Sequence, residues 1–279
     1  MQYKLSHPAW YKKSVRSRVS AAVDLDVILL PHVPEDSCVE RCLAERSPDQ
    51  LIRDIASRCN FLDYSSYEEF LPAISKNFRG NLRKARNKLA KLSEAEFIFI
   101  RENNQLHQAF EWFCRVEASG WKGNQGTLTA IQLNLRLRAF YDALIEHFGA
   151  RGCCEINLLM LRDTCLAGQF CLRSSGTIYV LKIGYNEAYS ELAPGNLILE
   201  RLIQHSALPE QQVKRLNLIT DMQWHQDWKP RSEKVSNLWI YNHTARATLL
   251  YWMAIQRRML SATLKASHSK FRRAKGREF

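Results

Sequence analysis

The sequence predicts a mixed α/β fold of the α+β class, in which a mostly antiparallel sheet is flanked by helices. Three strand-like runs, 154–161, 166–173 and 177–185, are separated by tight turn signals and therefore predict an antiparallel meander. A polar loop and an amphipathic helix follow the third run, with apolar residues at helical spacing over 198–203. Further helical patterns precede the meander, so strands and helices are not in simple alternation.

The first 74 residues carry fewer signals. Residues 25–30 predict a strand, and residues 49–58 predict a helix. Ser66, with Glu69 three residues later, has the form of a capping box and predicts a helix start, which Pro72 soon interrupts.

A basic amphipathic helix is predicted next. From residue 76 to residue 91 there are seven basic residues and no acidic one, and an apolar stripe recurs at helical spacing. The stripe consists of Phe78, Leu82, Ala85, Leu89 and Leu92. A strand at 96–101 and helices at 105–119 and 130–148 lead into the meander. After it come strands at 215–220 and 236–241, and Thr244 is placed to cap a last helix that ends near residue 264.

The positive charge is local. The chain of 279 residues has a formal net charge of +12, but residues 76–91 and residues 257–279 each carry +7. The rest of the chain is slightly acidic. Two basic faces on one chain indicate a polyanionic partner, which is a nucleotide cofactor, a nucleic acid or an anionic membrane surface.

The cysteines and the N-terminal residues bear on compartment. The eight cysteines show neither metal-ligand spacing nor a disulfide framework, which favours free thiols in a reducing compartment and predicts no metal site. The first 19 residues are polar and basic without the apolar core of a signal peptide, and no run reaches the roughly 20 apolar residues that span a bilayer. We therefore expect a cytoplasmic protein, or one held peripherally at the inner face of the membrane.

Three sequence blocks resemble a known family. Residues 116–127, VEASGWKGNQGT, resemble the EASGWKGxxGT block of the bacterial Gcn5-related N-acetyltransferase (GNAT) subfamily related to cellulose-biosynthesis CelD proteins. Residues 185–199 resemble that subfamily's loop and helix, and residues 75–89 resemble its basic helix. The resemblance spans about residues 25–240. The group is itself similar to the FemAB aminoacyl-tRNA-dependent transferases, which contain two GNAT-like halves.

The resemblance implies a division of the chain into three parts. Residues 1–74 form a shortened N-terminal half-domain, residues 75–245 a GNAT-like acyltransferase domain, and residues 246–279 a C-terminal helix with a basic tail. It also implies acyl-CoA, most of all acetyl-CoA, as co-substrate. The backbone amides of Gly195, Asn196 and Leu197 would then hold the pyrophosphate at a helix N-terminus, although this loop has a single glycine where the family usually has two. A plain strand-to-helix turn is the alternative.

Two further loops contain candidate site residues. In the first, Glu117 is a candidate general base, Trp121 a surface for the acceptor and Lys122 a partner for an anionic group; a helix cap at Gly120, with the indole in the core, is the alternative. In the second, Asp221 and His225 are candidate catalytic residues, and Trp228 and Lys229 candidate substrate-binding residues. His225 is alternatively a structural hydrogen-bonding residue. At a strand end, Tyr185 is a candidate proton donor to the leaving thiolate, or a structural aromatic.

These features predict an N- or O-acyltransferase that moves an acyl group from acyl-CoA to a small-molecule or glycan acceptor, with envelope polysaccharide metabolism as the setting. Two alternatives stay open. One is a FemAB-like transferase that uses aminoacyl-tRNA, which the basic helix favours. The other is a non-catalytic binding protein with the same fold, which the single-glycine loop favours. The basic tail is a candidate for docking on anionic lipid.

Overall fold

The computed structural model describes residues 25–35, 37–44, 51–92, 94–120, 122–123 and 126–275. The chain divides into two compact units. The terminal unit contains Met1–Ser57 and Glu233–Phe279, and the central unit contains Arg58–Ser232. Strands β2 (Leu51–Asp63) and β8 (Arg231–Tyr241) contribute residues to both units.

The terminal unit contains β1 (Val27–Pro34), α1 (Cys38–Ala44) and the long C-terminal helix α7 (Ala245–Lys275). β1 pairs with β8 in antiparallel register, with Val27 opposite Tyr241. Thr244 caps α7 as the sequence predicts, because its Oγ1 accepts a hydrogen bond from the Ala247 amide at 3.0 Å.

The predicted helix at 49–58 is wrong for residues 51–58, which belong to strand β2, while residues 49 and 50 lie outside the described residues. Its apolar residues have a spacing that suits a helix. The extended conformation of this part of β2 is set by a neighbouring strand far along the chain, since β2 lies beside β8 in the sheet order. Such non-local pairing overrides local propensity and leaves no trace in a short window of sequence.

The central unit contains a sheet in the order β2-β7-β6-β5-β4-β3. Its other strands are β3 (Ala95–Ile100), β4 (Cys154–Leu161), β5 (Thr164–Ser174), β6 (Thr177–Tyr185) and β7 (Arg215–Asn217). Its helices are α2 (Tyr67–Phe70), α3 (Lys76–Ala90), α4 (Asn103–Ala118), α5 (Leu135–Gly149) and α6 (Pro194–Ser206). β4, β5 and β6 form the predicted antiparallel meander. Of the neighbouring strand pairs in this sheet order, only β6 and β7 are parallel. The predicted mixed, mostly antiparallel sheet with flanking helices is confirmed.

Helices cover both faces of this sheet. Since side chains alternate between the two faces along each strand, neighbouring residues of one strand pack against different helices. Phe170 of β5 packs with α4 and α5 in one hydrophobic cluster. Its neighbour Cys171 packs in another cluster with Leu82 of α3 and Leu202 of α6. Side-chain oxygens cap two of the predicted helix starts, with Ser66 accepting from the Glu69 amide and Ser75 from the Phe78 amide. In the part of the chain that the structure describes, no helix is long and apolar enough to cross a bilayer.

Candidate active site

The central unit opens where two neighbouring strands separate. β6 and β7 pair only over Thr177–Tyr179 and Arg215–Asn217, although β6 continues to Tyr185. From residue 180 onward, the β7-facing edge of β6 therefore has no strand partner among the residues that the structure describes. The β5–β6 register also shifts between Val180 and Lys182, so Leu181 is the extra residue of a bulge. Backbone N–H and C=O groups near the bulge are thus available to a ligand.

A cleft of about 650 Å³ lies at this opening. It is lined by the end of α4 with its following turn, by residues 180–185 of β6, by the start of α6 and, after β7, by Leu218, Thr220, Met222, Trp224 and His225. Six predicted site residues meet there, namely Glu117, Lys122, Tyr185, Gly195, Asn196 and His225. Residues from four distant parts of the sequence are therefore brought to one cavity, which makes it the candidate active site.

The turn before α6 has an unusual backbone. Ala193 is left-handed (φ 48°) and precedes Pro194, the first residue of α6. The Ala193 carbonyl accepts hydrogen bonds from the Asn196 amide at 3.0 Å and the Leu197 amide at 3.1 Å. Of the three amides predicted to hold pyrophosphate, two therefore donate within the turn. The Gly195 N–H has no backbone acceptor among the described residues, and the Leu197 side chain is buried in the core.

Gly195 lies against the Tyr185 ring at the cleft wall. A Cβ atom at position 195 would be 3.4 Å from Cδ1 of Tyr185, which is a tight contact but one a small side chain can make. A large side chain would extend from here into the cleft. Tyr185 itself is partly exposed, with 39% of its surface accessible to solvent.

A buried carboxylate with two lysines forms the opposite wall. Glu117 Oε1 accepts a hydrogen bond from Lys182 Nζ at 2.8 Å and lies 3.4 Å from Lys122 Nζ. Its Oε2 accepts from the Ile131 amide at 2.9 Å. The Glu117 carboxyl is fully buried, so these three donors replace the water it loses. We call Glu117, Lys122 and Lys182 the Glu–Lys cluster.

The cluster forms because α4 approaches β6 very closely at Gly184. A Cβ atom at position 184 would be 2.7 Å from the Cα of Glu117, a distance that real Cβ contacts do not reach. Glycine is the residue that permits this approach. The missing side chain of Gly184 thus sets the position of the Glu117 backbone relative to Lys182.

Lys122 is the cluster's candidate proton carrier. Burial lowers the pKa of Lys122, with the nearby Lys182 charge acting in the same direction and Glu117 opposing it. Its Nζ also donates to the Ile183 carbonyl at 3.1 Å. Two cations share one carboxylate here, so the cluster has an excess positive charge when both lysines are protonated. A lysine with a lowered pKa can accept a proton nearer to neutral pH.

His225 faces the cleft but is held as a neutral ring. Its Nδ1 lies 3.3 Å from Asn60 Nδ2, and the Thr220 backbone also hydrogen-bonds to the side chain. Burial lowers the pKa of His225 to about 4. With its Nδ1 lone pair facing an amide donor, His225 is placed to orient the loop that follows β7 rather than to accept a proton from a substrate.

Because His225 is buried, we expect the free energy of unfolding to decrease as the pH is lowered. The unfolded chain binds a proton near pH 6.5 and the folded chain near pH 4. Stability is therefore fully present above pH 6.5 and is lost as the pH falls toward 4, by about 3 kcal/mol. Urea unfolding at several pH values measures this slope. His225→Gln should flatten it and His107→Gln, at an exposed position, should not; an unchanged slope in His225→Gln contradicts the assignment.

The other residues predicted around this loop do not line the cleft. Trp228 is 0% exposed and packs between the rings of Phe70 and Phe78, with centroid distances of 6.4 and 5.0 Å. Trp228 is therefore a core residue. Lys229 is exposed, with a left-handed backbone (φ 51°) that ends the preceding 3-10 turn, and Asp221 is also exposed. Trp121 lies outside the described residues.

Two cleft residues were missed at the sequence level. Lys182 lies within the apolar run of β6, and Gln169 is fully buried within the apolar run of β5. Gln169 Oε1 accepts from Asn157 Nδ2 at 3.2 Å, while its Nε2 has no partner in the described chain. A lone polar residue inside a buried strand is the signal that would have found both.

The family is shown by comparison with known proteins. Residues 76–229 match the family described as the acetyltransferase (GNAT) domain. The match covers more than half of the chain, and the chain belongs to this family. The search of curated proteins found no match.

Solved structures with the same fold are distant in sequence. The chain resembles FemX with a TM-score of 0.58 at 10% identity, covering 86% of this chain and 79% of that one. It resembles the C-terminal domain (DUF2156) of a putative lysylphosphatidylglycerol synthetase from Agrobacterium fabrum with a TM-score of 0.55 at 12% identity, covering 86% and 75%. The chain also resembles a conserved protein of unknown function from Bacteroides thetaiotaomicron, with a TM-score of 0.52 at 15% identity. The match covers 83% of this chain and 75% of that one. At these identities the likeness shows the fold alone.

Proposed function

We propose that the chain transfers an acyl group from acyl-CoA, with acetyl-CoA as the expected donor, to an amine or hydroxyl acceptor in this cleft. The observation that carries the proposal is the separation of β6 from β7 beside the start of α6. It leaves an unpaired strand edge, with a bulge at Leu181, next to the free Gly195 amide. The donor's thioester would lie along that edge and its phosphates near α6.

The strand edge supplies the electrostatic part of the reaction. When the acceptor attacks the thioester carbonyl, negative charge develops on the carbonyl oxygen. An N–H group of β6 near the bulge is the proposed donor to that oxygen, and the rigid strand holds it in place before the reaction begins.

The Glu–Lys cluster supplies the proton transfer. The attacking amine or hydroxyl loses its proton to Lys122 in its neutral form, and Glu117 stabilises the resulting ammonium. Glu117 thus acts as the counter-charge of the base Lys122. As the C–S bond breaks, Tyr185 at the mouth of the cleft gives its phenolic proton to the leaving thiolate and recovers one from water.

Gly195→Trp tests the position of the donor site. The indole would extend from the cleft wall beside Tyr185 into the space assigned to the pyrophosphate, so coenzyme A affinity should fall at least about tenfold without loss of folding. Isothermal calorimetry measures the affinity. Ala150→Trp, at an exposed position after α5, is the matched control and should bind as the parent does. Unchanged affinity in Gly195→Trp removes this assignment.

A FemAB-like reaction with aminoacyl-tRNA is the second candidate. The observations that favour it are the single free amide at the α6 turn and the basic surface of α3. Lys76, Arg83, Lys84 and Lys91 are exposed there. Arg86 is engaged with Glu200 instead. Replacing Arg83 and Lys84 by glutamine should weaken the binding of charged tRNA. The slope of the logarithm of affinity against the logarithm of salt concentration should also become shallower, by the amount expected for the loss of about two phosphate contacts.

A transfer assay separates the functions. The acyl-CoA proposal expects label to move from labelled acetyl-CoA to an amine or glycan acceptor and not from aminoacyl-tRNA. Label moving only from aminoacyl-tRNA establishes the second candidate. Ligand binding with transfer from neither donor supports the non-catalytic binding protein. An envelope polysaccharide as acceptor is part of the proposal, and its support is the resemblance of residues 116–127 to the CelD-related block.

A further inference from the structure

Helix α7 packs one face against its own unit. Ala247 is buried, and Tyr251, Ala254 and Ile255 pack with it against Ile52 and Tyr241. These helix positions recur at intervals of three and four, so they form a single stripe. Arg258 extends the stripe by one turn and pairs with Asp54 of β2.

The opposite face of α7 is apolar as well, yet it is exposed. Leu249, Trp252 and Met253 are 62%, 58% and 56% exposed. Leu260 follows at the same helical spacing and is exposed too. We call these four residues the α7 outer face. A helix that covered only its own unit would have polar residues here.

The same helix is strongly basic. Arg246 and Arg257 are exposed near the α7 outer face. From residue 257 to the end of the chain there are eight basic residues and one acidic residue. An exposed apolar stripe, a tryptophan and a basic segment on one helix form the pattern of helices that lie in the interface of a lipid bilayer.

We propose that the α7 outer face docks on an anionic bilayer surface. Trp252, Met253 and Leu249 enter the boundary between headgroups and acyl chains, while Arg257 contacts the anionic headgroups and the net charge of residues 257–279 attracts them. The charge favours this occupant over a second copy of the chain, because residues 257–279 carry +7, which attracts anionic headgroups and repels an identical segment. The apolar side chains of the α7 outer face disfavour nucleic acid as the main partner, since phosphates do not cover aliphatic side chains. The docking is independent of the acyl-transfer proposal.

The test is co-sedimentation of the full chain with vesicles. Binding is expected to vesicles of phosphatidylglycerol and phosphatidylcholine and to fall at least about tenfold with phosphatidylcholine alone. Trp252→Glu and Met253→Glu should each weaken binding to the anionic vesicles by about tenfold or more, because each places a charge on the inserting face. Leu135→Glu is the matched control, since Leu135 lies on α5 and is 85% exposed.

Four results overturn the proposal. The first is no binding of the parent chain to anionic vesicles, and the second is binding of Trp252→Glu as tight as that of the parent. The third is a loss of vesicle binding in Leu135→Glu as large as that in Trp252→Glu. The fourth is a dimer in solution without lipid, seen by light scattering, that Trp252→Glu dissociates. Because the substituted residues are exposed, thermal unfolding should stay unchanged in all three variants. A variant that unfolds early is replaced by Trp252→Gln or Met253→Gln, with the same expectation.

Discussion

Glu117→Gln should lower acyl transfer by at least about 100-fold and destabilise the fold by about 3 kcal/mol. The change keeps the shape of the side chain but removes the charge that holds Lys122 and Lys182. Removing one member of a buried ion pair leaves its partners desolvated without a counter-charge. Without the Glu117 carboxylate, the Lys122 ammonium that forms during transfer has lost its counter-charge, which costs the rate that this proton transfer supplies. Steady-state kinetics and urea unfolding measure the two effects.

Glu111→Gln is the control for that change, because it is the same substitution on the same helix. Glu111 is half-exposed and pairs with Arg138 at the surface, where an ion pair contributes at most about 1 kcal/mol. Transfer should be unaffected. A Glu117→Gln chain that keeps full activity would remove the Glu–Lys cluster from the mechanism, whatever happens to stability.

Gly184→Val should be the second most damaging change. Its Cβ would be 2.7 Å from the Cα of Glu117, so the end of α4 must move away from β6. Overpacking of this kind costs about 1–3 kcal/mol. The displacement also moves Glu117 relative to Lys182, and a shift of about 1 Å at a reacting group costs about 100-fold in rate. Thermal unfolding and transfer kinetics on the same sample test both parts.

Gly80→Ala is the matched control for the steric argument. Gly80 lies within α3, and a Cβ there would meet no atom within 4 Å. Alanine in a helix interior is favoured over glycine by about 1 kcal/mol, so this variant should be more stable than the parent. If Gly184→Val is as stable and as active as the parent, the close approach of α4 to β6 is not what positions Glu117.

Much of the fold follows from local sequence patterns. The β4–β6 meander was predicted because its turns are short and its strands are neighbours in sequence. The Ser66 and Thr244 caps were predicted because a cap is a local hydrogen bond. The helix predicted at 49–58 is wrong over residues 51–58, since these residues lie in β2 and its neighbour β8 begins only at residue 231.

The site was only partly predictable for the same reason. Glu117, Tyr185 and Gly195 stand in recognisable motifs, and the structure brings them to one cleft. Lys182 was not identified, because its role depends on a carboxylate 65 residues away. Trp228 stands at a position that the family resemblance supports and His225 lies near it, but their burial against Phe78 and Asn60 depends on tertiary packing.

The most direct test of the central claim is an amide NMR titration of the isotope-labelled chain with acetyl-CoA. We expect saturable shifts of the Gly195 amide and of amides in residues 180–185 of β6, and we expect Gly195→Trp to abolish them. Folded protein that shows no shift at millimolar acetyl-CoA, or shifts confined to residues outside the cleft, would contradict the claim that this cleft binds the acyl donor.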